Sequence, residues 1–477
     1  MGSIVGALYS MGYSGDSIAA ISNGMKWTKL FGSIVSVNEV SNEEKSEFKR
    51  YLIELEIVKG QPQKPAALIN DQNLRAFFNE ITYPVYDIKN FDDLAIPFRA
   101  VAVDIVHGKE VVLDKGSLVF AMRSSMSIPA VFAPMEYQDA LLVDGGILNN
   151  FPTDVAKAWG ADIIIGSDVG GGMAPKEKLR DISTLLFQTG MLASNLKNPA
   201  NRALCDVLID HTAHLSYSTG DFEENVGILN EGKIGTQEQL SQLAALAKQL
   251  QPYLQVKPKL PEAPSTVIYD TIHYNGISED NLDLVKARLN IEPKANYSLS
   301  ELKEAGRKAF GTNLFESVSF EQFKIDKNLG LKINAKEKSS HLIKGALHYD
   351  SYQEVGLFVN YTGRNVIGNS SRLLVSFDIT KDLRYRLQYQ KHIGVKKKWW
   401  YRSEFYGQSL NQQTFISGNR ADDVDYSYHQ FDNQFNFNIN AFKSYVGLGL
   451  NYEWNTLKPT IDPTISDNIF GFNVLHS

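Results

Sequence analysis

The segment LLVDGGILNNFP, residues 141–152, decides how the first half of the chain is interpreted. Three apolar residues lead into Asp144, as expected for the end of a buried strand. Gly145 and Gly146 then allow backbone angles that a Cβ would forbid, or the close approach of a ligand or side chain. A carboxylate at this place can act as a general base or orient a nucleophile. The alternative is that Asp144 only begins a turn, since Asp-Gly is a common turn dipeptide.

Length and composition narrow the class of protein. A chain of 477 residues is long enough for about two to four domains. The net charge of −6 shows no basic excess, so no nucleic acid partner is expected. The single cysteine, Cys205, excludes an intramolecular disulfide scaffold. No apolar run approaches the roughly 20 residues of a transmembrane helix, although β-barrels cross membranes with shorter, alternating segments.

Residues 1 to about 255 alternate between predicted helices and strands. Strands are expected near residues 98–105, 110–113, 141–144 and 162–166, and helices near 2–9, 117–125 and 153–159. This alternation is typical of an α/β three-layer domain, a mainly parallel sheet covered by helices on both faces. Sites in such folds lie at the carboxyl ends of strands, which is the position of Asp144.

Residues 98–170 carry a series of motifs in a specific order. They are KGSL (115–118), MSIPAVF (126–132), VDGG (143–146), NNFP (149–152) and GADIII (160–165). In this order and spacing they resemble the patatin-like phospholipases, the bacterial lipid acyl hydrolases, and the resemblance extends over residues 1–255. It implies a Ser-Asp dyad. The base and orienting partner would be Asp144 of the motif Asp144-Gly145-Gly146.

The nucleophile of that family lies in a Gly-x-Ser-x-Gly elbow, a sharp strand-to-helix turn. In the resemblance Met1 takes the second x position and Gly2 is the closing glycine, so the serine would lie one residue before Met1. Ser3, Ser10 and Ser14 cannot replace it, because none has glycine at both flanking positions. The glycine-rich loop that stabilises the oxyanion is expected upstream as well. We therefore expect a truncated domain that hydrolyses nothing as given; the alternative is a pseudoenzyme that begins here.

Other catalytic arrangements have less support. A Ser-His-Asp triad would need His107, His211 or His214 as its base, but His107 lies in a polar turn and the other two lack catalytic neighbours. No paired His or Cys spacing indicates a metal, and no cofactor is expected. The glycine-rich residues 169–172 follow a strand without the Lys-Ser/Thr of a phosphate-binding loop, which favours a flexible loop beside the site.

A proline-rich linker, residues 256–264, separates this domain from a smaller one. Residues 265–338 then show a strand, two helices capped by Ser278 and Ser298, and two further strands. This β-α-α-β-β order, with a break at residues 313–318, resembles a POTRA domain, the module that precedes outer-membrane barrels. The alternative is a small α+β spacer without a partner.

From residue 342 to 477 apolar residues recur with period two, in about eight runs. Several runs approach the roughly 10 residues of a membrane strand, although a soluble β-sandwich shows the same period. Aromatic residues at strand ends, including Trp399 and Trp400, and a face rich in Asn, Gln and Tyr favour a partial antiparallel transmembrane β-barrel. It resembles the surface-antigen barrels attached to some bacterial patatin-like proteins. Those barrels have more strands, so a truncated C-terminal end is expected.

These features together predict a bacterial outer-membrane protein whose periplasmic or surface-exposed domain hydrolyses acyl esters of membrane lipids. The sequence predicts no particular head group, chain length or oligomeric state. One alternative is an outer-membrane transport or assembly module with a vestigial hydrolase domain. Another is a soluble lipid-binding protein with a C-terminal β-sandwich.

Overall fold

The computed structural model describes residues 1–31, 37–63, 67, 69–218, 220–253, 257–326, 328–351, 354–459 and 467–476. Its helices are α1 (Gly2–Ser10), α2 (Gly15–Gly24), α3 (Trp27–Phe31), α4 (Gln72–Ile81), α5 (Leu118–Ser125), α6 (Gly146–Asn149), α7 (Thr153–Ala158), α8 (Ile182–Arg202), α9 (Asn225–Glu238), α10 (Leu240–Leu250), α11 (Glu279–Leu289) and α12 (Leu299–Phe310). None of the described helices combines the length and the hydropathy needed to cross a bilayer.

The strands are β1 (Ile53–Val58), β2 (Gln61–Gln63), β3 (Ala100–Asp104), β4 (Lys109–Leu113), β5 (Met135–Tyr137), β6 (Ala140–Asp144), β7 (Ile165–Asp168), β8 (Val207–Asp210), β9 (Val267–Ile268), β10 (Thr271–Asn275), β11 (Asn296–Tyr297), β12 (Phe315–Ile325), β13 (Asn328–Glu337), β14 (His341–Asp350), β15 (Glu354–Arg364), β16 (Ser371–Ile379), β17 (Arg384–Ile393), β18 (Trp399–Ile416), β19 (Asn419–Asn440), β20 (Ser444–Pro459) and β21 (Asp467–His476). The predicted order of an α/β region followed by a large antiparallel sheet is confirmed.

The chain divides into two compact units. Residues 1–34, 66–265 and 321–324 form the first, called here the α/β unit. Residues 35–65, 266–320 and 325–477 form the second, called the sheet unit. Residues 255, 256 and 477, which bound predicted domains, lie outside the described residues.

The α/β unit contains a four-stranded sheet in the order β4-β3-β6-β5, and all its pairs are antiparallel. The expected mainly parallel sheet is therefore wrong for these strands. Turns of a few residues join β3 to β4 and β5 to β6, and such short connections can only make antiparallel hairpins. The parallel pair in the described part of this unit is β7 with β8.

The core of the α/β unit lies between this sheet and helices α1, α4 and α5. All five residues of β3 are buried, and Leu142 of β6 is fully buried against them. Helix α1 contributes Ala7 and Leu8 to the same cluster, and Met11, which follows the helix, also belongs to it. Ser117 begins α5 as predicted, because its Oγ accepts a hydrogen bond from the backbone nitrogen of Phe120 at 3.3 Å.

The strand expected at residues 162–166 is shifted and less buried than predicted. β7 begins at Ile165, which is 50% exposed, and Ile163 is 38% exposed. The reason is that β7 pairs with β8 in a separate two-stranded sheet, so its other side lacks a strand neighbour among the described residues.

The sheet unit begins, after residue 265, with α11 and α12 on a three-stranded sheet of order β10-β13-β12. Ser298 forms a complete capping box with Glu301 at the start of α12. Ser278 precedes α11 but does not cap it, because its backbone nitrogen and hydroxyl donate to Glu337 instead. The predicted helices are confirmed, and the side-chain cap at Ser278 is wrong.

Strands β14 to β21 form an antiparallel meander, and these eight strands match the predicted number of runs. The two faces of this sheet differ in which side chains are exposed to the surroundings and which are buried. Apolar side chains are exposed on one face, among them Phe431, Phe435, Ile439, Val446, Leu448 and Leu450. Amide side chains are buried on the other face, among them Gln434, Asn436, Asn438 and Asn451. The sheet therefore buries its polar face and exposes its apolar face.

Trp399 and Trp400 do not both belong to an aromatic belt on the exposed face. Trp399 is 45% exposed, whereas Trp400 is 2% exposed and lies on the polar side against Tyr445. Consecutive residues of a strand point to opposite faces, so a pair of neighbouring tryptophans cannot share one.

The hairpin of β1 and β2 also belongs to the sheet unit, although it precedes most of the α/β unit in sequence. β1 pairs antiparallel with the edge of β14, placing Leu55 opposite Ile343. A 3₁₀ turn, Asn42–Glu47, comes just before this hairpin.

Candidate active site

Asp144 is the last residue of β6 and lies opposite Ala102 of β3. Its backbone nitrogen donates to the carbonyl oxygen of Ser127 at 3.0 Å. Its carboxylate Oδ1 accepts from the backbone nitrogen of Gly146 at 2.7 Å. The aspartate thus also begins a turn in the way Asp-Gly sequences do. The second carboxylate oxygen is not used in this turn.

The two glycines after Asp144 are required by close packing and not by unusual backbone angles, since neither has a positive φ. A Cβ on Gly145 would lie 2.4 Å from the carbonyl oxygen of Val101 in β3. A Cβ on Gly146 would lie 3.0 Å from Oδ1 of Asp144 and 2.7 Å from Oδ1 of Asn150. Of the two interpretations drawn from the sequence, the structure supports close approach.

The amino end of helix α1 lies beside Asp144. Burial raises the pKa of the Asp144 carboxyl group, against opposing effects from the Gly146 N–H and the Met1 amino group. Burial lowers the pKa of the Met1 amino group, while the Asp144 charge acts in the opposite direction. The helix end adds partial positive charge, because the first amides of a helix have no partner within it. The Asp144 carboxylate and the amino end of α1 therefore form one electrostatic environment.

A buried arginine holds the segment that carries Asp144. Arg123 of α5 is fully buried and bonds to Asp71 through Nε and to the Ser127 hydroxyl through Nη1, the latter at 2.6 Å. Ser127 in turn accepts the backbone hydrogen bond from Asp144. Arg123 therefore positions Asp144 through one intermediate residue.

The turn after the Asp-Gly-Gly motif is tied to one face of α8. The hydroxyl of Ser194 accepts from the backbone nitrogen of Asn150 at 2.7 Å. The side-chain nitrogen of Asn201 donates to Asn149 Oδ1 at 2.9 Å and to the carbonyl oxygen of Phe151 at 2.7 Å. Residues 194 and 201 are seven apart and so share a face of the helix.

The three histidines considered as bases have other partners. His107 Nδ1 lies 2.6 Å from Asp104 Oδ2, and its ring is partly exposed. His211 is buried with Nε2 at 3.1 Å from the Ser167 hydroxyl. His214 pairs with Glu238 at 3.0 Å. None of the contacts described for these rings is made to Asp144, so the described geometry does not support a Ser-His-Asp triad that uses it.

The first part of the chain is similar to a known family. Residues 1–157 match the family model of the patatin-like phospholipases. The chain has a patatin-like domain at its N-terminus. That domain contains Asp144, both motif glycines and helix α1.

Similar curated proteins match over a short stretch. An uncharacterized NTE family protein of Mycobacterium tuberculosis is 41% identical over 83 residues, which is 17% of this chain and 23% of that protein. Patatin-like phospholipase domain-containing protein 7 of Mus musculus is 37% identical over 95 residues, or 20% of this chain and 7% of that protein. The same shares and identity hold for domain-containing protein 6 of Homo sapiens. The chain thus spans less than a quarter of the length of the curated relatives it matches.

Two solved structures align with the chain at low similarity. BamA from Haemophilus ducreyi, lacking POTRA domains 1–3, aligns with a TM-score of 0.34 and 15% identity, covering 45% of this chain and 43% of that one. CdiB from Acinetobacter baumannii aligns with a TM-score of 0.29 and 12% identity, covering 65% and 57%.

The sequence did not indicate the residues that position Asp144 and the turn after it. Arg123 could have been found as the one charge within the apolar helix LVFAMRSS, where burial demands a partner.

Asp168 ends β7 as Asp144 ends β6, but it is buried and ion-paired with Arg202 at 2.8 Å. Its Oδ1 accepts from Gly170, so the glycine-rich stretch after β7 is a bonded turn at its start.

Proposed function

We propose that the patatin-like domain hydrolyses lipid acyl esters with a Ser-Asp dyad in which Asp144 is the base. The observation that supports this is the placement of a carboxylate of raised pKa beside the amino end of α1. A serine bonded to the Met1 nitrogen would start at this point. Gly2 would then close the elbow, with no side chain in the way, as its Cβ position is open.

The proposed reaction proceeds in two steps. Asp144 accepts the serine proton as the serine oxygen attacks the ester carbonyl, and the proton passes to the leaving alcohol. Water then attacks the carbonyl carbon of the acyl-enzyme and gives a proton to Asp144. The bond between the serine oxygen and the acyl group breaks, the fatty acid leaves, and the proton returns to the serine. Backbone amides of the glycine-rich loop expected upstream would hold the oxyanion, and the amino end of α1 adds favourable charge.

The test compares two chains on a short-chain ester and on a phospholipid. Residues 1–477 should give background turnover, and a chain with a Gly-x-Ser elbow directly before Met1 should turn over both substrates. In the second chain Asp144→Asn should abolish turnover, whereas His107→Ala should leave it unchanged. Turnover by residues 1–477 that depends on Asp144 would contradict the dyad.

We further propose that β14 to β21 are part of a barrel in a bacterial outer membrane, with the region of α11 and α12 as a POTRA-like module beside it. The supporting observation is the reversed burial of the sheet, which exposes Leu448 and buries Asn451. A soluble β-sandwich buries its apolar face, whereas a membrane strand turns that face to lipid. The full chain should then fractionate with outer membranes and migrate faster on gels before boiling than after. Recovery in the soluble fraction would contradict this proposal.

A further inference from the structure

The 3₁₀ turn Asn42–Glu47 is packed on the polar face of the sheet through charged and polar side chains. Its sequence, NEEKSE, contains no apolar residue. Glu43, Glu44 and Glu47 are nevertheless each less than a tenth exposed. A short 3₁₀ turn has little stability of its own. Asn42 holds it through hydrogen bonds to Asn438 and to the carbonyl oxygen of Asn440, and the groups that face the three carboxylates hold the rest.

Glu43 and Glu47 each form an ion pair with an arginine of the sheet unit. Glu43 Oε1 lies 2.8 Å from Arg288 Nη2 and 2.9 Å from His392 Nε2. Glu47 Oε1 lies 2.7 Å from Arg386 Nη1. Both pairs join residues more than 240 positions apart in sequence, so they are tertiary contacts and not part of the turn.

Glu44 lies between two arginines on neighbouring strands. Its carboxylate accepts from both terminal nitrogens of Arg364, at 3.2 and 3.0 Å, and from Arg372 Nη1 at 2.8 Å. This is the two-pronged arrangement in which guanidinium groups bind carboxylates and phosphates.

The charge balance of this cluster depends on the turn. Four guanidinium groups take part: Arg288, Arg364, Arg372 and Arg386. Four carboxylates face them, three from the turn and Glu404, which bonds to Arg386 at 2.9 Å. Without the turn, the four arginines would face one carboxylate in a largely enclosed place.

The arginines also have unused binding capacity. The Nε atoms of Arg288, Arg364 and Arg372 are buried and have no hydrogen-bond partner within the described residues. The three side chains are at most 8% exposed. A polar cavity beside Glu44 is lined by two of them, Arg364 and Arg372, together with Ser371. The cluster can therefore donate to more oxygen atoms than the glutamates supply.

We propose that the turn is a removable plug over an anion site, and that a phosphate group takes the place of its glutamates when it leaves. Phosphate offers more acceptor oxygens than a carboxylate and fits the guanidinium fork equally well. Buried ion pairs add little net stability over alternatives, so exchange of one anion for another is energetically feasible. A phosphate of a lipid head group and free phosphate present the same chemistry to the arginines.

The test measures how often the plug leaves. Ser41 directly precedes the turn and is fully buried, and its hydroxyl has no partner among the residues that the structure describes, so Ser41→Cys is a mild change. In a Cys205→Ser background of the full chain, a maleimide should label Cys at 41 slowly in chloride. Inorganic phosphate at equal ionic strength should raise the labelling rate at least tenfold. Vesicles of phosphatidylglycerol, compared with phosphatidylcholine, test the lipid source.

Matched variants separate exchange from loosening. Glu43→Gln combined with Glu44→Gln should speed labelling in chloride alone, because the arginines no longer hold the turn. Glu39→Gln removes a carboxylate from the rim of the same segment and should leave the rate unchanged. Acceleration by phosphate or by phosphatidylglycerol identifies the source of the anion. Equal rates in chloride, phosphate and both vesicles would overturn the proposal and make the turn a permanent cross-link.

Discussion

Gly145→Ala should destabilise the patatin-like domain through a single backbone collision. The added Cβ would lie 2.4 Å from the carbonyl oxygen and 2.7 Å from the carbonyl carbon of Val101. Ordinary contacts begin at 3.4 Å, so β3 and β6 would have to separate by about 1 Å at the centre of the sheet.

The size of the effect follows from the immobility of the partner. Overpacking costs about 1–3 kcal/mol, and the upper end applies because backbone cannot rotate away as a side chain can. For a unit of this size, about 3 kcal/mol corresponds to a fall of about 6–12 °C in the unfolding midpoint.

Pulse proteolysis across a temperature series would measure this, since cleavage follows the α/β unit separately from the sheet. Gly171→Ala is the matched control, because a Cβ there meets nothing within 4 Å and φ is not positive. Its midpoint should change by no more than about 2 °C. An equally small change for Gly145→Ala would refute the claim that close approach requires glycine here.

Further predictions concern charge and capping. In the chain with a serine elbow, kcat/KM should fall as the pH is lowered, with the midpoint of this fall clearly above about pH 4, because burial raises the pKa of Asp144 and the base must be ionised. A midpoint at or below pH 4 would contradict this. Because the pKa of Asp144 is raised on folding, its protonated form adds folding stability at low pH, and this contribution is lost as the pH rises through the pKa in the folded state. Asp144→Asn should therefore equal or exceed the parent in stability at pH 7, measured by urea unfolding. Arg123→Met should cost about 3 kcal/mol by leaving Asp71 with one partner fewer in a buried place, against a smaller loss for Arg99→Met, whose partner Asp92 is 45% exposed. Ser298→Ala should cost about 1 kcal/mol in the sheet unit through loss of the cap on α12, and no change would count against the capping box.

The sequence predicted the elements that depend on local chemistry. Asp144 at a strand end, the start of α5, the capped start of α12 and the eight alternating runs all follow from residue type and spacing. These features need only neighbours within a few positions. For the same reason, the alternation of helices and strands was a poor guide to strand direction, which depends on the short hairpin turns.

The supporting contacts could not be predicted, because they join distant parts of the chain. Arg123 meets Asp71 across 52 positions, and Asn201 meets Asn149 across the same number. The local sequence of α8 does not indicate which turn its polar residues contact. The turn Asn42–Glu47 is the extreme case, since a run of acidic residues usually indicates a solvated surface.

The course of the chain through residues 37–63 also constrains the order of folding. Glu44 can bond to Arg364 only after the 320 residues up to it have been made, and Asn42 can bond to Asn438 only after 396. Contacts of such long range form late, because the chain between them must first be made and brought together. During synthesis this early segment would remain exposed and acidic until the last strands emerge. Within it, the turn Asn42–Glu47 contains no apolar residue, and a charged stretch of this kind resists aggregation until its partners are made.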